Sequence, residues 1–306
     1  MGSHRTGVVA LIGKPNVGKS TLVNAVVGQK VTIVGSRRQT TRRRVLGVRT
    51  EPHYQLALVD TPGIHEPHTK LGRFMNEEAR ASLADVDLVL YMADASRPPN
   101  EEDQMIAAML ERTWKYPHAE ENPGSNGVLL CLNKMDLLKA EFVVENVDAY
   151  CELLGTKDYM LTRLDRGENL EKLLDLVVSK LPEGEPVFPE EMITDQPMRR
   201  IAAELVREKA IAHTKQELPY AVAAVVDVWD EKEDGRVHII MSLVAEKEGQ
   251  KAILIGKQGA MLRTIGSEAR AEIESLIGAP VFLEIHVKVR EEWRQNPRLL
   301  HDLDLD

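Results

Sequence analysis

Residues 13–20 read GKPNVGKS and stand between the apolar run VVALI (8–12) and the helix-like STLVNAVV (20–27). Strand, glycine loop and helix in that order is the setting in which GxxxxGK(S/T) holds phosphate. Gly13, Lys14, Asn16, Val17 and Gly18 can turn backbone N–H groups into one concavity, and the helix that starts at Ser20 and Thr21 adds partial positive charge. Lys19 brings a full charge to the β and γ oxygens, and the Ser20 hydroxyl suits Mg²⁺.

Strand-like and helix-like runs then alternate: VLGVRT, YQLALVD, NEEARASLA, DLVLYMAD, DQMIAAMLE, GVLLCLNK, VVENVDAYCELL and NLEKLLDLVVSKL. This order predicts an α/β fold over residues 6–181, a P-loop domain with a mostly parallel sheet and helices on both faces. PEGEPVFPEE at 182–191 has three prolines and a glycine and reads as a linker. Residues 192–306 change pattern: the helix MRRIAAELVREKAIAHT, then the strands YAVAAVVDVWD and RVHIIMSLVA joined across Glu233-Asp234-Gly235, a second glycine loop, a helix and the strand VFLEIHVKV. A smaller α+β domain with an antiparallel hairpin is expected there.

That second loop repeats LeuIleGlyLys, at 11–14 and again at 254–257. Each copy follows an apolar run that reads as a strand, the later one being AILI (252–255), yet the two sit in different architectures and share nothing beyond four residues. They are convergent solutions, not repeats.

A chain of 306 residues with 43% apolar content can bury two cores. Its net charge of −9 argues against coating nucleic acid or anionic membrane by bulk charge, so a nucleic-acid site must be local. No apolar stretch is long enough to span a bilayer, and a cytoplasmic protein is expected. Cys131 and Cys151 lack metal-ligand spacing and read as buried, reduced thiols. The opening MGSHRT happens to fit the weak pattern for lipidation at Gly2 with Thr6, but it reads rather as a cloning remnant joined to a native start.

Two further motifs sharpen the first loop. Asp60-Thr61-Pro62-Gly63 ends the strand YQLALVD, where a carboxylate can reach a metal through water and the Gly63 amide can approach a γ-phosphate. Asn133-Lys134-Met135-Asp136 follows GVLLCL, and the Asp136 carboxylate can accept both N–H groups of a guanine edge, which adenine does not offer. Alone, each is an ordinary turn or cap; in this order after a phosphate loop they point to GTP and GDP.

In GKPNVGKS, QTTR (39–42), DTPG and NKMD the chain resembles the translation-factor-like GTPases, specifically the Era family. The resemblance implies that Ser20, Asp60 and Thr41 hold Mg²⁺, with Thr40 left open as the alternative to Thr41. It implies nucleotide contacts from Asn133, Lys134 and Asp136, and catalysis by Lys19, Thr41, Gly63 and Asn16. At Asn16, ligation of K⁺ and support of the loop are both open. The run Arg37–Arg44 with its five arginines is a solvated loop or a contact for RNA or phosphate.

Two positions depart from expectation. Ile64 follows Gly63 where Ras-like enzymes place a water-orienting glutamine, a replacement similar to the Era group that implies slow intrinsic hydrolysis. Arg163 and Leu164 stand where the family usually shows serine and alanine in the last guanine-contact loop.

Gly256-Lys257-Gln258-Gly259 fits GxxG within a helix, strand, strand, helix, helix, strand order, similar to the type II KH domain. Missing side chains at both glycines let backbone lie along a sugar-phosphate chain, while Lys257 and Arg263 attract phosphate and Ile255 and Leu262 border an apolar slot. Lys247, Lys251, Lys257, Arg263 and Arg270 against Glu248 and Glu268 concentrate positive charge around the loop. By resemblance, the partners are the 3′ region of 16S rRNA and the 30S subunit or its precursor, bound by a monomer. Peripheral association with the inner membrane belongs to the same resemblance, although no basic amphipathic helix supports it. A non-hydrolysing, GTP-sensing RNA-binding protein is the alternative.

Overall fold

The computed structural model describes residues 4–35, 40–122, 124–215 and 217–305. Gly2, Arg37, Arg38 and Gln39, on which the lipidation, basic-loop and QTTR readings partly rest, lie outside them. The chain forms two compact units: Met1–Val31, Thr41–Pro67 and Met75–Asp195 in one, Thr32–Thr40, His68–Phe74 and Gln196–Asp306 in the other.

In the first unit the order is β1 (Arg5–Ile12), α1 (Lys19–Val27), β2 (Val45–Glu51), β3 (Tyr54–Asp60), α2 (Lys70–Ala81, whose first turn groups with the other unit), β4 (Leu88–Asp94), α3 (Glu101–Thr113), β5 (Val128–Asn133), α4 (Val143–Leu154), β6 (Tyr159–Leu161) and α5 (Leu170–Lys180). The sheet order is β2-β3-β1-β4-β5-β6, parallel except for β2. β2 runs antiparallel because only Pro52 and His53 separate it from β3, and two residues cannot make a crossover.

Strands β1, β4 and β5 are apolar on both faces, as a covered parallel sheet requires. Alternation sends Val9, Leu11, Leu90 and Met92 to a core shared with α1 and α5. Ala10, Ile12, Val89 and Tyr91 go to the opposite core, with Ile106 of α3 and Tyr150 of α4. The chain leaves β1 toward neighbours on either side, so a crevice opens at the carboxyl end of β1 where GKPNVGKS begins. Cys131 is fully buried and its thiol is pushed up to about 12 by burial.

The proline-rich stretch expected as a linker is held by this unit. Glu183 bridges Arg5, and just past the stretch Thr194 bridges Gly47. The buried Gln55 side chain accepts from the amides of Val187 and Phe188 and donates to the Phe188 carbonyl.

The second unit contains α6 (Met198–His213), α7 (Leu218–Ala221), β7 (Ala223–Glu231), β8 (Val237–Ala245), α8 (Glu248–Ile255), α9 (Ala260–Ile277), β9 (Val281–Val289) and α10 (Pro297–Asp302). β7 and β8 form the expected hairpin, turning through Gly235, and β9 joins β8 in parallel. One face of the sheet packs on α6, α8 and α9 through Ile239, Met241, Leu254, Ile265 and Ala269. AILI is a correction: it is the last turn of α8, not a strand. Four apolar residues carry no period, and here Leu254 is buried while Ile253 is 54% exposed, as on a one-sided helix.

Candidate nucleotide and RNA sites

The residues predicted to hold phosphate and metal meet at the carboxyl ends of β1 and β3. Lys19, 6% exposed, donates from Nζ to the Gly13 and Lys14 carbonyls, each at 2.9 Å. Burial lowers its pKa from the usual lysine value to about 8, against a smaller raising effect of Asp60. An ammonium kept in that state is primed for an anion.

The Ser20 hydroxyl donates to Asp60 Oδ2 at 2.7 Å and lies 2.9 Å from Thr41 Oγ1, which is 3.3 Å from the same carboxylate oxygen. Two hydroxyls and a fully buried carboxylate thus converge as hard oxygen donors, a set whose chemistry suits Mg²⁺. Of the two adjacent threonines, Thr41 is the one whose hydroxyl meets Ser20 and Asp60.

DTPG folds against the loop so closely that a Cβ on Gly63 would lie 2.6 Å from the Pro15 nitrogen. Only glycine permits that approach. Ile64 is 4% exposed and packs in the core beside α2 and α3, so the side chain after Gly63 faces apolar neighbours. His65, which the sequence reading missed, is buried, with its ring Nδ1 2.9 Å from the Gly63 carbonyl. A lone histidine two residues after the glycine gave no signal.

In NKMD, Asn133 ties loops together: Nδ2 donates to the Val17 carbonyl at 2.9 Å, and Oδ1 accepts from Thr162 Oγ1 at 3.2 Å and the Leu164 amide at 3.1 Å. Lys134, at φ 63°, pairs with Asp94 at 2.9 Å. Asp136 lies 3.8 Å from Arg163 Nε, and Arg163 also faces Asp165 and Glu168. The altered loop therefore places a guanidinium beside the carboxylate expected to read guanine. Asn16 is exposed at φ 65°, Val17 is buried, and Thr21 stands in the first turn of α1. The Lys14 side chain reaches Asp103 Oδ2 at 2.5 Å and Asn100 Oδ1 at 3.2 Å, on α3 and its cap.

In the second unit, Gly256–Gly259 joins α8 to α9. Gly256 has φ 71°, and a Cβ there would come within 2.7 Å of the Met261 Cβ. Lys257, Gln258 and Arg263 are exposed; Ile255 and Leu262 are half-buried beside them. Gly259 caps α9 without a side-chain acceptor, so the amides of the first turn have no side-chain cap. The arrangement offers amides, a lysine and an arginine along one short arc.

Comparison with known proteins agrees with both halves. Residues 8–134 match the 50S ribosome-binding GTPase family and residues 217–294 the KH domain family. GTPase Era of Heliobacterium modesticaldum is 40% identical over 302 residues, 99% of this chain and 97% of that protein. GTPase Era of Geobacter metallireducens is 40% identical over 300 residues, 98% and 97% respectively. A crystal structure of Era in complex with MgGDPNP and nucleotides 1506–1542 of 16S ribosomal RNA superposes with a TM-score of 0.90 at 37% identity, covering 99% of each chain. A tyrosine-to-alanine variant of Aquifex aeolicus Era bound to GDP·AlF₄⁻ gives 0.89 at 37% identity, over 98% of this chain and 99% of that one.

Proposed function

The chain belongs to the GTPase Era family, and from that premise we propose that it hydrolyses GTP as a switch whose KH domain binds the 3′ region of 16S rRNA, acting in the cytoplasm as a monomer during assembly of the small ribosomal subunit. The convergence of Ser20, Thr41 and Asp60 beside Lys19 carries this reading. Those three oxygens would hold Mg²⁺, which when bound neutralises charge across the β and γ oxygens.

Lys19 binds the same oxygens, and its burial makes the interaction strong because no water competes. The Gly63 amide would sense the γ-phosphate, and loss of that phosphate would release the segments around Thr41 and Gly63. With Ile64 in the core, the attacking water needs another positioning group. We assign Asn16 as a ligand for K⁺ near the β–γ bridge, which would add a fixed cation there.

The decisive assay is multiple-turnover phosphate release together with crosslinking to cellular RNA in GTP and in GDP. Turnover abolished by Lys19→Ala and crosslinks concentrated near the 16S 3′ end support the reading. Stoichiometric GTP binding without turnover refutes it. Equal rates in sodium and potassium buffers, for wild type and Asn16→Ala alike, remove the K⁺ assignment.

A further inference from the structure

Asp103 is fully buried at the third position of α3, and four donors surround its carboxylate. Oδ1 accepts the Tyr91 hydroxyl at 2.9 Å; Oδ2 accepts Lys14 Nζ at 2.5 Å, the Asn100 amide at 2.9 Å and, at the limit of hydrogen bonding, the Tyr150 hydroxyl at 3.5 Å. A carboxylate removed from water needs a cation and hydrogen bonds to be tolerated, and Lys14 is the cation that meets it. Asn100 and Asp103 also cap one another across the first turn, so the acceptor is fixed to the helix end.

Lys14 belongs to the phosphate loop. Its side chain is anchored on α3, and its carbonyl, with that of Gly13, orients the Lys19 ammonium. Anchoring a side chain restricts the peptide that carries it. We propose that Asp103 is a positioning residue for GTP hydrolysis: by clamping Lys14 it holds the Gly13 and Lys14 carbonyls in the arc that aims Lys19 at the β and γ oxygens. Two of the three ammonium protons are engaged by these carbonyls, which leaves the third directed. If the clamp is released, Lys19 keeps its charge but loses its aim. This inference rests on the assignment of Gly13–Ser20 as the phosphate cradle.

In the full chain, Asp103→Asn and Lys14→Met should each lower kcat/KM for GTP about tenfold, and the double variant should fall no further than either alone, since they remove one clamp. Tyr91→Phe takes a different hydrogen bond from the same carboxylate and leaves Lys14 in place. It should lower Tm and keep kcat/KM at the wild-type value. Losses that multiply in the double variant, wild-type kcat/KM in Lys14→Met, or an equal loss in Tyr91→Phe would overturn the proposal. Lys14 keeps 14% of its side chain exposed, and a thermal melt of each variant separates lost folding from lost aim. Failure of the cradle assignment reads differently: Lys19→Ala would then retain turnover.

Discussion

Asn133 Nδ2 donates to the Val17 carbonyl at 2.9 Å, so the residue that opens NKMD also braces the GKPNVGKS loop. Its Oδ1 holds Thr162 and Leu164, which joins three loops through one buried amide. Asn133→Ala leaves a carbonyl, a hydroxyl and an amide without that partner. Each such loss costs about 1–3 kcal/mol, so GDP affinity should weaken about ten- to a hundredfold by calorimetry. The ratio of guanine to xanthine affinity should hold, since Asp136 is untouched.

Asp136→Asn should move preference from guanine toward xanthine nucleotide. An amide offers a donor where the guanine edge also donates, whereas xanthine presents a carbonyl there. Competition between GDP and XDP for the purified variant measures it, and an unchanged order would show that Asp136 does not read the base.

Nucleotide binding should depend on pH through Lys19. Burial depresses its pKa to about 8, and phosphate oxygens favour the charged form. Below pH 8 the free protein already carries the proton and affinity from this source is level. Above pH 8 binding must take up a proton, so GDP affinity should fall by up to about tenfold per pH unit until the bound-state pKa is reached. Titration calorimetry from pH 7 to 9.5 should show this slope, and Lys19→Ala should flatten it.

The same depressed pKa reverses the usual sign for stability. A charged Lys19 penalises the folded, nucleotide-free protein below pH 8, and the penalty fades as pH rises from 8 toward 10.5. Lys19→Met should therefore raise Tm of the nucleotide-free protein at pH 7 relative to wild type, with a smaller gain at pH 9.5. The ceiling is about 3 kcal/mol, at 1.36 kcal/mol per pKa unit, reduced by the two lost carbonyl contacts.

Gly259→Asp should abolish binding of single-stranded RNA in a filter or polarisation assay while GTP turnover of the full chain continues. It is the cleaner probe of the two glycines, because an added Cβ at Gly259 meets nothing within 4 Å, whereas one at Gly256 strikes Met261. Retained RNA affinity would count against the backbone clamp.

The sequence announced the parts of the site whose chemistry is local. GKPNVGKS, DTPG and NKMD each follow an apolar run that became β1, β3 or β5, so parallel pairing delivered them to one edge. Thr41 and Thr40 were inseparable by sequence, because choosing between adjacent hydroxyls needs the loop's path. AILI was ambiguous because four consecutive apolar residues show neither the two-residue alternation of a strand nor the 3.6-residue stripe of a helix. Asp103 was invisible as a partner of Lys14, being 89 residues away. Its spacing from Asn100 signals only a helix start.

The burial of Ile64 also closes a route that other GTPases use. Installing glutamine there would put a carboxamide into the apolar cluster that also holds Ile106 and Ala79, at a desolvation cost unless it finds a hydrogen bond. On that packing, Ile64→Gln alone should leave GTP turnover no faster, and a group from another molecule or from the loops that flank the crevice would have to position the water.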